Sequence, residues 1–120
     1  MASSFRDLRV WREAMRQTAN LSMHGEFPRH EVYGLRQQIR RAAVSVSSNI
    51  AEGKGRNPDK EFSQFLFHAR WSLLELQKQL LIAEELQYLS GERSEELLGL
   101  AEGMGRALNG LINSLRSDAA

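Results

Sequence analysis

The sequence predicts an all-α fold: an antiparallel up-down-up-down bundle of four helices, in one domain over residues 1–120. Three observations predict it. Proline is scarce, with two in 120 residues, so long helices are not interrupted. Apolar residues recur at three- and four-residue steps through most of the chain, the spacing of a helical face. Short breaks marked by glycine, proline or serine separate these stretches, and long helices joined by short turns pack as antiparallel neighbours.

The first helix is expected over about residues 5–23. Ser4 is placed to cap it, and Asp7 lies near the first-turn amides. Leu8, Trp11, Ala14, Met15, Thr18 and Leu21 share one face. Gly25 and Pro28 then stop it. The second helix is expected over about 31–52, with Leu35, Ile39, Ala42, Ala43, Val46 and Ile50 as its apolar face, ending in the turn Gly53-Lys54-Gly55. Asn57-Pro58 reads as a cap followed by proline at the first helical position. It opens a third helix over about 58–87, roughly 45 Å long at a rise of ~1.5 Å per residue. The break Leu89-Ser90-Gly91, with Ser90 or Gly91 as cap, precedes a fourth helix over about 92–115.

Composition bounds the function. Apolar residues are 42% and charged residues 26%, the range of an ordinary globular domain. There is no cysteine, which excludes disulfides, thiolate metal sites and cysteine nucleophiles. The N-terminal stretch has arginines and no apolar h-region, so no secretory signal is expected. The longest apolar run, Leu80 to Ala83, is far shorter than the ~20 residues that span a bilayer. A cytoplasmic location and no membrane partner are therefore expected.

The third helix is apolar on two sides. At ~100° per residue, Phe62, Phe65, Leu66, Ala69, Leu73, Leu76, Leu80 and Ala83 cluster around one direction. Phe67, Trp71, Leu74, Leu81 and Ile82 fall on the far side. Lys78 and Glu85 interrupt this second stripe, and isolated surface apolar residues are ordinary. The sharper reading is a second buried contact, because monomers rarely expose apolar patches of several hundred Å². Self-association is expected, through Phe67, Trp71, Leu74 and Leu81. On the fourth helix Gly99, Gly103, Ala107 and Gly110 line one face. Each interior glycine costs about 1 kcal/mol relative to alanine, and close approach of another helix is the expected return; a loose terminal helix is the alternative.

The net charge of +1 conceals an asymmetry. Residues 1–60 carry 11 Lys+Arg against 6 Asp+Glu, a balance of +5, and residues 61–120 carry 5 against 9, a balance of −4. Arg9, Arg12 and Arg16 share a face of the first helix. Arg36 and Arg40 share a face of the second, with Arg41 beside them and Lys54 and Arg56 in the following turn. Such residues could follow a phosphate backbone. They could equally face the acidic third and fourth helices, where each exposed pair is worth ~0–1 kcal/mol. No nucleic-acid-binding motif is present.

Catalytic chemistry is missing. A carboxylate-bridged metal in a bundle needs Glu-x-x-His steps, but Leu21, Phe27 and Phe65 stand three before His24, His30 and His68. No nucleophile elbow or P-loop occurs. No metal, no cofactor and no enzyme activity are expected. Ser45, Ser47, Ser48 and Asn49 crowd the end of the second helix, where hydroxyls bonding preceding carbonyls is the bland reading. The alternative makes Asn49, Glu52, Lys54 and Arg56 a polar cluster at one end of the bundle.

Several stretches carry a family resemblance: Phe5-Arg-Asp-Leu-Arg-Val-Trp11, Phe27-Pro28, Glu31-Val-Tyr-Gly-Leu35, Gln38-Ile-Arg-Arg-Ala-Ala-Val-Ser45, Asn49-Ile-Ala-Glu-Gly53, Arg56, Glu61-Phe62 and Leu76-Gln-Lys-Gln-Leu80. Over about residues 5–115 the chain resembles the small bacterial four-helix-bundle proteins called 23S ribosomal RNA intervening-sequence proteins. The resemblance implies an antiparallel four-helix bundle that assembles into a homo-oligomeric ring, a pentamer. It implies kinship in fold with the accessory protein of diversity-generating retroelements, which works with a reverse transcriptase and nucleic acid. It also singles out Asn49, Glu52, Gly53 and Arg56 as a family-motif cluster. It implies no assigned activity. The chain departs from the family pattern Ala-x-Gly-Ser-Leu at Ala69-Arg70-Trp71-Ser72-Leu73, where a tryptophan stands in place of glycine.

Two functions follow as expectations. One is a non-enzymatic homo-oligomeric scaffold that binds RNA or DNA through Arg9, Arg12, Arg16, Arg36, Arg40 and Arg41, with Lys54 and Arg56 adjoining. The other is a module that binds a partner protein without nucleic acid.

Overall fold

The computed structural model describes residues 9, 11, 12, 16, 27–31, 34–55 and 59–119. Among these the chain is all-α, with no strand. After a short 3₁₀ turn, Arg29–Glu31, come α1 (Leu35–Lys54), α2 (Asp59–Glu85) and α3 (Gly91–Ala119). Arg9, Trp11, Arg12 and Arg16 are helical; the rest of the helix expected over 5–23 lies outside the described residues, as do Arg56, Asn57 and Pro58.

The sequence periodicity explains the packing. α2 buries Phe62, Leu66, Ala69, Leu73, Leu76, Leu80 and Ala83, alternating steps of four and three that keep one seam turned inward. α1 meets it with Ile39, Ala43, Val46 and Ile50, and α3 with Leu97, Ala101, Met104, Leu108 and Ile112. Trp11, on the leading segment, is half-buried against this core. α2 packs on both α1 and α3. The pairings are antiparallel: Gly53 at the end of α1 meets Phe62 and Phe65 at the start of α2, while Ser45 meets Ser72. Glu84 near the end of α2 meets Ser94 near the start of α3, and Arg70 meets Asn109. The molecule measures 48 × 20 × 19 Å.

Helix ends differ from the expected ones in informative ways. α1 does not stop at Glu52 but runs through Gly53 to Lys54, and the Gly55 amide donates to the carbonyls of Ala51 and Gly53. α2 stops without glycine. Gln87 takes a positive φ of 63°; its amide donates to Glu84 O and that of Tyr88 to Ala83 O. These are the two bonds of a Schellman stop, with glutamine where glycine is usual. Ser90 caps α3, its Oγ accepting from the Arg93 amide at 3.0 Å and its carbonyl from the Ser94 amide at 2.9 Å.

Gly99, Gly103 and Gly110 of α3 do not find the close helix neighbour expected for them among the described residues, whereas a Cβ on Gly105, off that face, would meet Leu73 at 3.6 Å. A Cβ on Gly99 or Gly110 would touch nothing within 4 Å, and one on Gly103 would meet only the mobile end of Arg106, at 3.7 Å. The reason is rotational: α3 turns Leu97, Ala101 and Met104 toward α2, which leaves the glycine face away from it.

Candidate functional site

The basic residues of α1 divide by the helical repeat. Positions 39, 43 and 46 face the core, which leaves Arg40 and Arg41 exposed on the outer side. Neither forms an ion pair with any described residue. They line a shallow groove of ≈ 410 Å³ along α1 with Val44 and Ser45. Arg36 is half-buried. Lys54 is half-buried too, its Nζ 5.7 Å from the centre of the Phe62 ring, a cation–π contact at the end of α1. Arg9, Arg12 and Arg16 are exposed. Arg9 borders a cavity of ≈ 550 Å³ with Gly99, Gly103, Arg106 and Ala107 of α3. Arg40 and Arg41 line the groove along α1, and Arg41 also lines the one between α1 and α2. The two arginine sets do not meet in one groove of the described residues.

The second apolar stripe of α2 reaches the surface but not as one patch. Trp71 is 65% exposed, and Leu74, Leu81 and Ile82 are about half exposed. Trp71 leans toward α1, lining the groove there, and Leu74 leans toward α3, lining a groove with Gln77, Gly105 and Asn109. Phe67 does not join them. It is half-buried, with the guanidinium of Arg70 5.0 Å and that of Arg116 5.3 Å from its ring centre. Arg70 is in turn held by donating to Asn109 Oδ1 at 2.9 Å. Periodicity places Phe67 on the outer side of α2, but only the α2–α3 pairing brings two cations over it.

The polar cluster at the end of α1 is largely taken up by packing. Asn49 Nδ2 donates to Ser45 O at 2.8 Å and to Ser45 Oγ at 3.1 Å, bonding one turn back rather than forward into the turn. Ser47 Oγ donates to Val44 O at 3.0 Å, as hydroxyls in helices commonly do. Ser45 Oγ shares a 2.7 Å hydrogen bond with Ser72 Oγ across to α2. Gly53 is buried, and a Cβ there would sit 2.6 Å from Phe65 Cβ and 2.9 Å from Phe62 Cδ1. Glu52 is exposed. The motif thus closes the α1–α2 crossing, with Arg56 outside the described residues.

Sequence reasoning missed the groove between α1 and α2. It is ≈ 310 Å³, with Trp71 and Arg41 on its walls and Ser45, Ser72, Glu75 and Gln79 also lining it. Gln79 Oε1 is buried and has no donor among the described residues. Glu75 Oε1 accepts from Lys78 Nζ at 3.4 Å, one turn away. No spacing rule in one helix reveals such a groove, because its walls come from two.

Among the described residues no group of three or more His, Cys, Asp or Glu side chains converges to hold a metal ion. No helix among them is long and apolar enough to cross a membrane.

No curated protein matches the chain. The family model described as 23S rRNA-intervening sequence protein matches residues 6–110. That span takes in the arginines of the leading segment, the whole of α1 and α2, and the glycine face of α3, so the chain belongs to the 23S rRNA-intervening sequence protein family.

Proposed function

We propose that this protein is a non-enzymatic homo-oligomeric scaffold, a four-helix bundle built on the leading segment and α1 to α3, that holds RNA or DNA on arginines of the leading segment and α1. The observation that carries the reading is the pair Arg40 and Arg41, exposed side by side with no carboxylate partner among the described residues. Cations paired within the bundle would be occupied; these two are available to phosphate. Arg9, Arg12 and Arg16 are exposed on the leading segment, and we place further phosphate contacts there, apart from the Arg40–Arg41 groove.

Self-association is supported by the crest of α2. Leu74, Leu81 and Ile82 are each about half exposed, and burying a large apolar side chain gains about 1.5–3 kcal/mol. Association costs about 4–15 kcal/mol, so several such side chains per subunit are needed. We place Leu74 and Leu81 at the centre of the contact, with Phe67 beneath its guanidinium cover and Trp71, which leans into the α1 groove, outside it. The resemblance implies a ring, a pentamer, and we propose that assembly and a cytoplasmic location for this chain.

Mobility-shift binding of single- and double-stranded RNA and DNA at low salt tests the reading. Binding that is lost in Arg40→Glu/Arg41→Glu, with light scattering unchanged, supports it. Absence of binding, or binding that survives the charge reversal, overturns it. The second reading, a module for a partner protein, is favoured by the same crest of α2; pull-down that persists after nuclease treatment would support it.

A further inference from the structure

We infer that the groove between α1 and α2 seats one unpaired base of a single-stranded nucleic acid against Trp71. This rests on the reading of Arg40 and Arg41 as phosphate contacts and adds the part of the ligand that they do not touch.

Three features of the groove select that occupant. The first is the indole itself. Trp71 is 65% exposed, the most exposed large apolar side chain among those described, and it walls a groove rather than lying on open helix surface. An accessible aromatic face is what unpaired bases stack on, because every base has a π-face. The groove's ≈ 310 Å³ is at the lower end of the roughly 300–1,000 Å³ of small-ligand sites. It suits one base, not a duplex.

The second feature is hydrogen bonding. Gln79 lines the groove, and its Oε1 is buried with no donor among the described residues. Buried acceptors are normally satisfied; this oxygen is closed to solvent, so the exocyclic amine of a base reaches it only when the Gln79 side chain turns into the groove. Ser45 Oγ is engaged by Ser72 Oγ and by Asn49 Nδ2, and both serines line this groove.

The third feature is charge. Arg41 lines this groove and also the adjoining one, where Arg40 joins it. The cations are therefore on the α1 side. Glu75 lines the α2 side, with Lys78 on its Oε1. A carboxylate repels phosphate but accepts from base amines or a ribose hydroxyl. The strand is thus oriented with its phosphates over α1 and its base toward α2.

The test uses the whole chain with three probes at low salt: short single strands of oligocytidylate, of oligodeoxycytidylate, and an abasic strand of equal length. Base-bearing strands quench the part of the tryptophan fluorescence that disappears in Trp71→Leu, and the abasic strand does not. Trp71→Leu weakens base-bearing strands about tenfold or more, leaves the abasic strand unchanged, and leaves the mass by light scattering unchanged; Trp71→Phe retains most of the affinity. Equal affinity for abasic and base-bearing strands, or no effect of Trp71→Leu, overturns the seat and leaves the arginine reading standing. A change of mass in Trp71→Leu makes Trp71 a contact between copies and also overturns it. Failure of every strand to bind removes both readings.

Discussion

A Cβ added to Gly53 would stand 2.6 Å from the Cβ of Phe65, closer than two such atoms can approach. α1 and α2 therefore cross at a point where only hydrogen fits. Phe62 adds a second barrier at 2.9 Å. Gly53→Ala gains about 1 kcal/mol in helix propensity but must push two aromatic residues aside, an overpacking cost of about 1–3 kcal/mol. The expected result is net destabilisation, by up to about 2 kcal/mol, read as a lower midpoint in urea unfolding. A midpoint at or above that of the parent would show that the crossing relaxes freely.

The end of α2 offers the opposite change. Gln87 holds φ at 63°, a conformation that costs a residue with a side chain about 1–2 kcal/mol. Gln87→Gly removes that cost while giving the unfolded chain more freedom. The net expectation is a gain of about 0.5–1 kcal/mol, seen as a higher Tm in calorimetry. Gln87→Val, branched at Cβ, is expected to lower it.

At the start of α3, Ser90 Oγ accepts from the Arg93 amide. Ser90→Ala is expected to cost about 1 kcal/mol, and Ser90→Asp or Ser90→Asn to cost little. Chemical denaturation of the three variants separates a cap from a merely small residue, since only a cap is rescued by a different acceptor.

Subunit contact at the crest of α2 predicts a clean dissociation. Leu81 is 53% exposed, so Leu81→Glu puts a charge in water within one copy and into apolar surroundings between copies. Light scattering is expected to report a smaller species with helical circular dichroism intact. An unchanged mass would remove Leu81 from the contact.

Phosphate contact by Arg40 and Arg41 predicts a change in salt dependence. Each contact to a single strand contributes about 0.7 to the slope of log affinity against log salt. Arg40→Ala/Arg41→Ala is therefore expected to flatten the slope by about 1.4, equally for all base compositions. A slope left unchanged would place the phosphates elsewhere.

The amino-acid sequence by itself determined α1, α2 and α3 and which side of each turns inward. Ile39, Ala43, Val46 and Ile50, and the seam from Phe62 to Ala83, recur at the helical period, and burial follows that period because apolar surface leaves water wherever it can. The cap at Ser90 was legible for the same reason, being a local competition for orphan amides. Tertiary structure decided what lies between helices. That Phe67 is covered by Arg70 and Arg116 while Trp71 stays open depends on the rotation and distance of α3 and α1 about α2. So does the use of Gly53 as a crossing point rather than as the start of a turn. Phe67 with Arg116 and Gly53 with Phe65 pair residues of different helices, and such contacts are fixed only when the faces of two helices interdigitate, which no single-helix spacing encodes.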